Sequence, residues 1–443
     1  MKKHTVTATV FRLILYLILL FLPLILVWLL IPRSGYDFLT EMGKSAALLA
    51  IGLIILQPVL SARLKAVERP IGLDMIFHFH KAMPLIALIL LLCHPILLSM
   101  GAGSWELLTS WQLPWYILLG KATLILLLVN VIISLWRKKI SMGYQSWKTM
   151  HNVAGLLIVL GAFLHSWQTG DDIQVAGMQA LWIVLLVGVL GFYVYHKLIR
   201  PLMLKRKPYR VTRVKAETRG VTTLRFEPIV QQTAYDHLPG QFHFIRLFRG
   251  RGLPREEHHF TISSAPHHRG FLESTIKASG DFTSTIDRTK EGDEAAIQGP
   301  FGRFSYVLHP ERKNLVFIAG GIGITPIMSM IRDMAGKTDQ GYRAVLLYAN
   351  QTEQDIVFRQ ELEELAKTQE TDLDIRYFLA HPPEGWEGET GHITREKIRQ
   401  YCPEPKEQDF YICGPPPMMK NIIKHLKSMK VKNGQIFFER FSL

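Results

Sequence analysis

The chain has 443 residues, of which 48% are hydrophobic and 20% are charged. Its formal net charge of +14 could indicate a nucleic-acid partner, but no nucleic-acid motif is present, and basic loops on one side of a membrane explain the charge better. The cysteines Cys93, Cys402 and Cys413 are scattered, which excludes a disulfide framework and any iron–sulfur or zinc spacing. We therefore expect the soluble part to face a reducing compartment.

Long apolar segments occupy the chain up to about residue 200 and predict six membrane spans. The first, 11–31, is too long for a secretory signal, and no small-residue cleavage pattern follows it. The other five are expected near 45–61, 74–99, 113–136, 149–168 and 178–198. Lysine and arginine concentrate in the loops on one side, which predicts a multi-pass protein of the plasma or inner membrane with both termini in the cytoplasm.

Two of these spans carry histidine pairs with the same spacing: His80 with His94, and His151 with His165. Fourteen residues of helix place the second histidine within roughly 40° of the first and ~21 Å along the axis. Ionisable residues inside a membrane are usually functional, and two such helices could hold two stacked haems, each iron between two imidazoles. The alternative is hydrogen bonding across the bundle. His78 lies ~160° around the helix from His94 and is expected to face the bundle or the interface.

The expected topology sorts the histidines into two pairs. His80 and His151 form an inner pair at the cytoplasmic end, and His94 and His165 form an outer pair. Four tryptophans near the outer interface are expected to form an aromatic belt, with the shaping of an opening over an outer haem as the alternative. They are Trp105, Trp111, Trp115 and Trp167.

After Pro201 the pattern changes to short alternating segments separated by turns, which favours a small antiparallel β-barrel. His258, Phe260, Thr261 and Ser263 combine an aromatic ring with polar groups, a set that suits an isoalloxazine ring and its phosphates. A second motif contains Lys277, Gly280 and Thr283, where a glycine turn opens a short helix whose free N–H groups could hold a pyrophosphate. A third, Gly299-Pro300-Phe301-Gly302, is interpreted as a rigid turn that closes the barrel. Strand alternation and ordinary turn chemistry are the alternatives for each motif taken alone.

From Asn314 onward, strands alternate with helices, which predicts a parallel doubly wound sheet. A buried strand, 314–320, leads into a glycine loop and a helix, so a pyrophosphate would bind at the helix N-terminus. Further helices are expected at about 353–368 and near 394–401. The loop residues that would approach the nucleotide are Gly321, Gly323, Thr325 and Pro326.

Two features near the chain end complete the predicted site. Cys413, Gly414 and Pro415 follow a buried strand at the carboxyl edge of the sheet, where ligands bind in such folds. Cys413 could contact a nicotinamide, or it could be a small buried residue. Phe441 could shield a flavin face and move aside for the nicotinamide, or it could belong to a packed terminal strand.

The predicted organisation is a six-helix membrane domain followed by two soluble domains. The membrane domain comprises residues 1–200, an FAD-binding β-barrel 201–310, and an NAD(P)H-binding α/β domain 311–443.

Together these residues resemble the NADPH oxidase and ferric reductase superfamily in a compact, bacterial-type form. The membrane half resembles the ferric-reductase transmembrane domain, and the soluble half resembles the ferredoxin–NADP reductase module. The resemblance implies haem ligation by the four histidines, and His258, Phe260 and Thr261 match the His-Pro-Phe-Thr flavin motif, with His259 in place of proline. The remaining matches are Gly280 and Thr283 for flavin, the glycine loop and Cys413-Gly414-Pro415 for the nucleotide, and Phe441 for the aromatic cover.

The function expected from this resemblance is transfer of electrons from cytoplasmic NAD(P)H, through FAD and two b-type haems, to an extracellular acceptor. Oxygen, reduced to superoxide, is the favoured acceptor. The alternatives are a ferric or cupric chelate reductase with the same path, a haem-binding subunit that serves a protein partner and, last, a membrane sensor. NADPH usually needs an arginine after the second nucleotide strand; Tyr348–Thr352 contains none, although Arg359 follows a little later, so weak discrimination between NADH and NADPH is expected.

Overall fold

The computed structural model describes residues 2–31, 37–230, 234–368 and 372–440, apart from the side chains of residues 2–6 and 338. The chain divides into two compact units, Met1–Arg200 and Pro201–Leu443. The helices are α1 Lys2–Leu30, α2 Phe38–Ser61, α3 Lys65–Ile71, α4 Leu73–Gly101, α5 Glu106–Thr109, α6 Trp115–Trp136, α7 Tyr144–Thr169, α8 Ala176–Val194, α9 Arg200–Lys205, α10 Ile324–Ala335, α11 Arg359–Lys367, α12 Arg395–Tyr401 and α13 Pro416–Ser428. The strands are β1 Tyr209–Thr218, β2 Val221–Pro228, β3 Phe242–Phe248, β4 Glu257–Thr261, β5 Leu272–Lys277, β6 Glu294–Phe301, β7 Asn314–Gly320, β8 Arg343–Asn350, β9 Asp372–Leu379, β10 Glu389–Thr390, β11 Asp409–Cys413 and β12 Ile436–Glu439.

Among its described residues, the first unit contains six helices that are long and apolar enough to cross a membrane, which confirms the predicted six spans. They are α1, α2, α4, α6, α7 and the continuous segment 176–205 that begins with α8. A lipid environment requires backbone groups to be paired within the helix, and the long runs of leucine, isoleucine and valine place apolar side chains on its surface. The fifth span begins at Tyr144, five residues earlier than the hydropathy pattern predicted.

Glycine and small residues let some of these helices approach closely. The closest pairs are α2 with α4 and α6 with α7. A Cβ on Gly43 of α2 would lie only 3.1 Å from the His94 carbonyl oxygen and from Leu97 Cβ of α4. Small residues at such contacts are typical of membrane helix packing. The helices α4 and α7, which carry the histidine pairs, are not among the closely packed pairs.

The barrel is a six-stranded sheet in the order β4-β3-β6-β1-β2-β5, with all pairings antiparallel. The interpretation of Gly299–Gly302 as a turn was wrong, because Gly299, Pro300 and Phe301 form the end of β6 and Phe301 pairs with Phe242 of β3. The turn itself falls on Gly302, whose φ of +94° favours glycine. The alanine-rich start of β6 lacks the β-branched residues that usually reveal a strand.

The nucleotide domain is a six-stranded parallel sheet in the order β10-β9-β8-β7-β11-β12. The order reverses between β7 and β11, which creates the crevice where such folds bind ligands. The helix expected at 353–368 is shorter, because a 3-10 turn at Glu353–Asp355 precedes Phe358, whose left-handed φ of +64° separates it from α11. Helix α13, which the sequence analysis did not predict, begins with prolines that suit a first helical turn.

Candidate functional site

The structure brings His80 of α4 and His151 of α7 together in the membrane unit. Their ring centroids lie 6.2 Å apart and the ring planes are nearly perpendicular, at 83°. With a metal–nitrogen bond of about 2 Å and ~1.1 Å from nitrogen to ring centre, two imidazoles on one metal ion would stand ~6 Å apart. The measured spacing therefore suits two axial ligands on one ion. A Cβ on Gly155, one turn after His151, would meet no atom within 4 Å, so this face of α7 has room beside it.

His151 is oriented by a cluster of polar and aromatic side chains. Its Nδ1–H donates to Asn130 Oδ1 at 3.1 Å, and Ser134 Oγ lies 3.4 Å from the same nitrogen. Trp147 donates its indole N–H to Ser134 Oγ at 3.1 Å, and its ring stacks on His151 with centroids 5.2 Å apart. His80 differs, because its Nδ1 is buried and has no hydrogen-bond partner within the described ranges.

The outer histidines are held by backbone carbonyls of neighbouring helices. His94 Nδ1–H donates to the carbonyl of Gly43 at 2.9 Å, and His165 Nδ1–H donates to the carbonyl of Tyr116 at 2.8 Å. Gly120, one turn after Tyr116, packs against the His165 ring, so that a Cβ there would lie 2.5 Å from His165 Cε1. Within the described ranges, the His94 and His165 rings neither stack nor hydrogen-bond with each other, although they lie close enough to interact electrostatically.

Among the described residues, three of the four rings have one nitrogen without a hydrogen-bond partner, and His80 has two. None of the four Nε2 atoms has a hydrogen-bond partner in the described part of the chain. An Nδ1–H that is anchored to an oxygen fixes the tautomer and leaves Nε2 as a metal ligand. Among the described residues, no group of three or more potential ligands could hold a metal ion alone.

Two other sets from the sequence analysis lie away from these rings. His78 is exposed and its Nδ1–H donates to the carbonyl of Asp74 at 2.9 Å, so it faces out of the bundle, and the bundle-facing alternative for it was wrong. Trp105, Trp111 and Trp115 are exposed, as residues of an aromatic belt would be, whereas Trp167 packs against the helical core.

Aromatic stacking arranges the residues of the first predicted flavin motif in the barrel. His258 stacks on Phe282 with centroids 4.2 Å apart and planes 23° apart, and Phe260 lies 6.3 Å from the same ring at 21°. His258 and Phe260 are two residues apart on β4, so their side chains lie on the same face of the strand. Thr261 and Ser263 are buried, and Ser263 Oγ lies 3.1 Å from Thr275 Oγ1. The rings of His258 and Phe260 are partly exposed, whereas the Ser263 hydroxyl lies in the interior of the barrel.

The second flavin motif lies on an exposed turn after β5. Lys277 and Gly280 are exposed, and Thr283 begins a 3-10 helix of six residues. The N–H groups of Ser279 and Gly280 both donate to Thr283 Oγ1, each at 2.9 Å. The Thr283 hydroxyl therefore satisfies two N–H groups of the turn that precedes the helix, and the binding of a pyrophosphate by the helix itself stays a prediction.

The nucleotide loop lies between β7 and α10, at the crevice of the parallel sheet. Gly321 has a φ of +52°, and a Cβ there would meet nothing within 4 Å, so this backbone is open to an approaching group. Gly323 instead packs directly on the backbone of Cys413 and Gly414, where a side chain would collide. Thr325 and Pro326 are buried in the first turn of α10. The backbone at Gly321 is thus open, whereas Gly323 fixes the start of α10 against β11.

Cys413 ends β11 beside this loop and is fully buried. Burial, with a smaller contribution from Glu439, raises the pKa of its thiol well above the usual value, so it stays protonated at neutral pH. A neutral thiol can pack against a nicotinamide but is a poor nucleophile. Gly414 and Pro415 follow it and pack on Gly320. Phe441 lies outside the described residues.

Sequence reasoning missed Asn130 and Gly120. Asn130 is buried within an apolar helix, where an unpaired amide is costly. Gly120 interrupts a run of leucines. An isolated polar residue and an isolated glycine in a membrane span were the available signals, and both lie on α6, which carries none of the four histidines.

Comparisons with known proteins match each part of this arrangement. Residues 46–162 match the family described as "Ferric reductase like transmembrane component". Residues 208–306 match the "Oxidoreductase FAD-binding domain", and residues 317–424 match the "Oxidoreductase NAD-binding domain".

The chain is also similar to individual proteins. It is 36% identical over 188 residues to NADH-cytochrome b5 reductase 2 of Rattus norvegicus, covering 36% of this chain and 68% of that protein. The Homo sapiens protein of the same name is 32% identical over 188 residues, with the same coverage. The crystal structure of the cytochrome b5 reductase domain of Ulva prolifera nitrate reductase is 25% identical, with a TM-score of 0.47, and covers 53% of this chain and 97% of that chain.

Six apolar spans, an FAD-binding barrel and a nucleotide-binding sheet define a membrane-embedded, FAD- and NAD(P)H-dependent oxidoreductase. The chain belongs to the oxidoreductases of ferric reductase and NADPH oxidase-like architecture, in which a ferredoxin–NADP reductase-like module follows the membrane domain.

Proposed function

We propose that this protein oxidises cytoplasmic NAD(P)H and reduces an acceptor on the opposite side of the membrane, with FAD and two b-type haems as its resident carriers. The observation that carries the proposal is the state of the four membrane histidines. Among the described residues, each leaves Nε2 without a partner, while three of them anchor Nδ1 to a neighbouring helix. The domain division at 200/201 and 310/311 and the cytoplasmic location of both termini are part of the same proposal.

The residues fit the haem groups. His80 and His151 would hold an inner haem, and their 6.2 Å ring spacing and the unpartnered His80 Nδ1 support this pairing. His94 and His165 would hold an outer haem, each fixed by a backbone carbonyl. When bound, FAD accepts a hydride and haem iron accepts single electrons, which together convert a two-electron donor into a one-electron reductant.

The soluble residues bind and orient the donor and the flavin. His258, Phe260 and Thr261 would contact the flavin, with Ser263 and the turn residues Lys277, Gly280 and Thr283 close to its chain. Gly321 would admit the nucleotide phosphates, while Gly323, Thr325 and Pro326 hold the start of α10 in place. Cys413, Gly414 and Pro415 would form the floor under the nicotinamide, and Phe441 would cover the flavin. The protonated Cys413 thiol packs without moving a proton.

Oxygen is the proposed acceptor, with superoxide as product. Two histidines on each iron leave no open coordination position, so oxygen would be reduced without binding the metal. A ferric or cupric chelate is the second candidate, favoured by the match of residues 46–162 to the ferric reductase component. A haem subunit that serves a protein partner is less favoured, because the flavin and nucleotide domains are part of the same chain.

NADH is the proposed donor. Arg359, the arginine nearest the end of β8 that could serve a 2′-phosphate, forms an ion pair with Glu353, and its Nε donates to Glu363 at 2.8 Å. Two carboxylates already balance its charge, so a phosphate there would have to displace them. The similar proteins named above are NADH-cytochrome b5 reductases, which agrees with this preference.

The acceptor is tested with the purified full-length protein loaded with FAD and haem. NADH-driven reduction of cytochrome c is measured with and without superoxide dismutase, and anaerobic reduction of a ferric chelate is measured in parallel. Suppression of most of the cytochrome c signal by dismutase supports oxygen as the direct acceptor. No effect of dismutase, together with fast anaerobic ferric reduction, would overturn the oxidase proposal in favour of a chelate reductase.

A further inference from the structure

A buried arginine joins the nucleotide domain to the strand that carries the flavin motif. Arg332 lies on α10, and its side chain is 15% exposed. Its Nη1 donates to the carbonyl of Ser263 at 2.7 Å, two residues beyond Thr261 at the end of β4. Its Nε and Nη2 donate to the two carboxylate oxygens of Glu361 on α11, both at 2.6 Å.

The Glu361 pair fixes the direction of the Arg332 side chain. A bidentate pair holds the guanidinium plane, so the two N–H groups of Nη1 have fixed directions. The carbonyl of Ser263 lies 2.7 Å from Nη1, and the carboxylate of Glu273 of β5 lies 3.5 Å from the same nitrogen. Phe358 lies beneath the guanidinium, with its ring centroid 5.0 Å from the central carbon. Each guanidinium nitrogen of Arg332 thus has an acceptor, and both acceptors of Nη1 lie in the barrel.

A second side chain of α10 makes a parallel contact. Ser329 Oγ–H donates to the carbonyl of Ser264 at 2.8 Å, and Ser329 is completely buried. Residues three apart lie on the same face of a helix, so Ser329 and Arg332 hold two consecutive carbonyls of the barrel. His237 Nε2 lies 3.3 Å from the Ser264 carbonyl and provides a weaker third contact.

The same helix begins at the nucleotide loop. Five residues separate Ile324, the first residue of α10, from Ser329, which is ~7.5 Å of helix. The nicotinamide-side loop and the end of the flavin strand are therefore connected by less than two turns of rigid helix and two hydrogen bonds. Because hydride transfer depends on sub-ångström positioning of donor and acceptor, an error of ~1 Å can slow it by about 100-fold.

We propose that Arg332, assisted by Ser329, is a positioning residue that sets the distance between the nicotinamide and the flavin for hydride transfer. Neither side chain contacts either cofactor directly in this role; both act through the carbonyls of Ser263 and Ser264. The proposal needs only the FAD- and NAD(P)H-dependent activity and is independent of the haems and of the final acceptor.

The test is anaerobic stopped-flow reduction of the flavin in the full-length, FAD-loaded protein by NADH and by NADH deuterated at the transferred position. For Arg332→Met we expect the limiting rate of flavin reduction to fall about 10- to 100-fold, with FAD content and the dissociation constant for NADH within about threefold of wild type. The deuterium isotope effect should be retained or larger, and the charge-transfer absorbance of the nicotinamide–flavin pair should weaken. Ser329→Ala should give a smaller loss of the same kind.

Arg376→Met is the matched control. Arg376 pairs with Asp374 on β9 at 3.0 Å, and among the described residues its side chain contacts no residue of the barrel. It should leave flavin reduction unchanged. If Arg332→Met does not yield folded protein, the same measurements are made on Arg332→Lys. Lysine keeps the positive charge but lacks the two N–H groups that bind both carboxylate oxygens of Glu361. A wild-type reduction rate, or loss of FAD or NADH affinity in proportion to the rate, would overturn the proposal. Since no electron need leave the flavin, failure here would not bear on the proposed haem path.

Discussion

The two halves of the molecule both bury histidines, but they use the ring nitrogens differently. In the barrel, His243 is fully buried and uses both nitrogens, because Tyr235 donates its hydroxyl to Nδ1 at 2.5 Å and Nε2 lies 2.6 Å from Ser274 Oγ. In the membrane helices, His94 and His165 each use one nitrogen, and the other has no partner in the part of the chain that the structure describes.

This difference separates a structural histidine from a potential ligand. A buried ring with both nitrogens satisfied has no lone pair to offer, and removing it leaves two buried polar partners. A ring with one anchored nitrogen is already oriented for a metal on the other side. His243 is fully buried and His94 is half-buried, but the number of satisfied nitrogens is what separates their chemistry.

Replacing an outer histidine should have the largest effect. His94→Leu removes a proposed iron ligand, so we expect the haem content per polypeptide to fall by about half and reduction of the external acceptor to be abolished. Flavin reduction by NADH should survive. His78→Leu, an exposed histidine on the same helix, serves as the control and should change neither quantity. Haem content is measured by pyridine haemochromogen, and undiminished external reduction by His94→Leu would sink the ligand assignment.

A substitution that crowds the His165 ring without removing it should have the next largest effect, a loss of affinity for the outer haem. Gly120→Ala places a methyl group 2.5 Å from His165 Cε1, so the ring must move away from its present position. We expect loss of outer haem affinity by about 10- to 100-fold. Gly188→Ala, where a Cβ would meet no atom within 4 Å, should be neutral. Equal haem titrations for the two variants would show that Gly120 does not control the site.

Changing the residue that accepts the Nδ1–H of His151 should alter the reduction potential of the inner haem more than the amount of haem that is bound. Asn130→Leu removes that acceptor and makes the imidazole a weaker donor, so the inner haem potential should rise, with a loss of affinity of about 10-fold. Asn130→Asp supplies a charged acceptor, favours ferric iron and should lower the same potential. Spectroelectrochemical titration resolves the two haems; shifts of the same sign in both variants would contradict the role of this hydrogen bond.

The smallest expected effect is a dependence of the stability of the barrel on pH. Burial lowers the pKa of His243 to about 3, so the native state keeps it neutral while the unfolded chain protonates near 6.5. Below pH 6.5 the unfolded state binds the extra proton, and stability should fall by roughly 1 kcal/mol per pH unit. Thermal unfolding followed by flavin fluorescence, compared between pH 7.5 and 5.5, measures this loss. His243→Gln should flatten the slope while lowering stability at neutral pH, and an unchanged slope would count against His243 as its source.

Much of the membrane half could be predicted from sequence, because hydropathy and the fourteen-residue spacing depend on the chain alone. The six spans agree with the structure, and His80 and His151 do meet. The anchoring of the rings could not be predicted, since Gly43, Tyr116 and Asn130 lie on other helices and reach the histidines only through packing.

In the soluble half, element types were largely predictable, whereas local hydrogen bonding was not. The pattern of β7, the glycine loop and α10 follows directly from residues 314–336. The strand β6 was read as a turn because Gly299 and Pro300 are turn residues by propensity, and pairing with β3 overrides that preference. Arg332 has no sequence signal at all, because its partners Ser263 and Glu361 are distant in the chain.

The ion pairs of Arg359 bear on how easily this enzyme could change its donor during evolution. Glu353 and Glu363 are surface carboxylates that restrain an arginine already present near the end of β8. Two neutral replacements, such as Glu353→Gln with Glu363→Gln, would release that guanidinium without introducing any new basic residue. A lineage under selection for a different reductant pool would therefore stand only two nucleotide-level steps from a changed preference, since each Glu-to-Gln replacement needs a single base change.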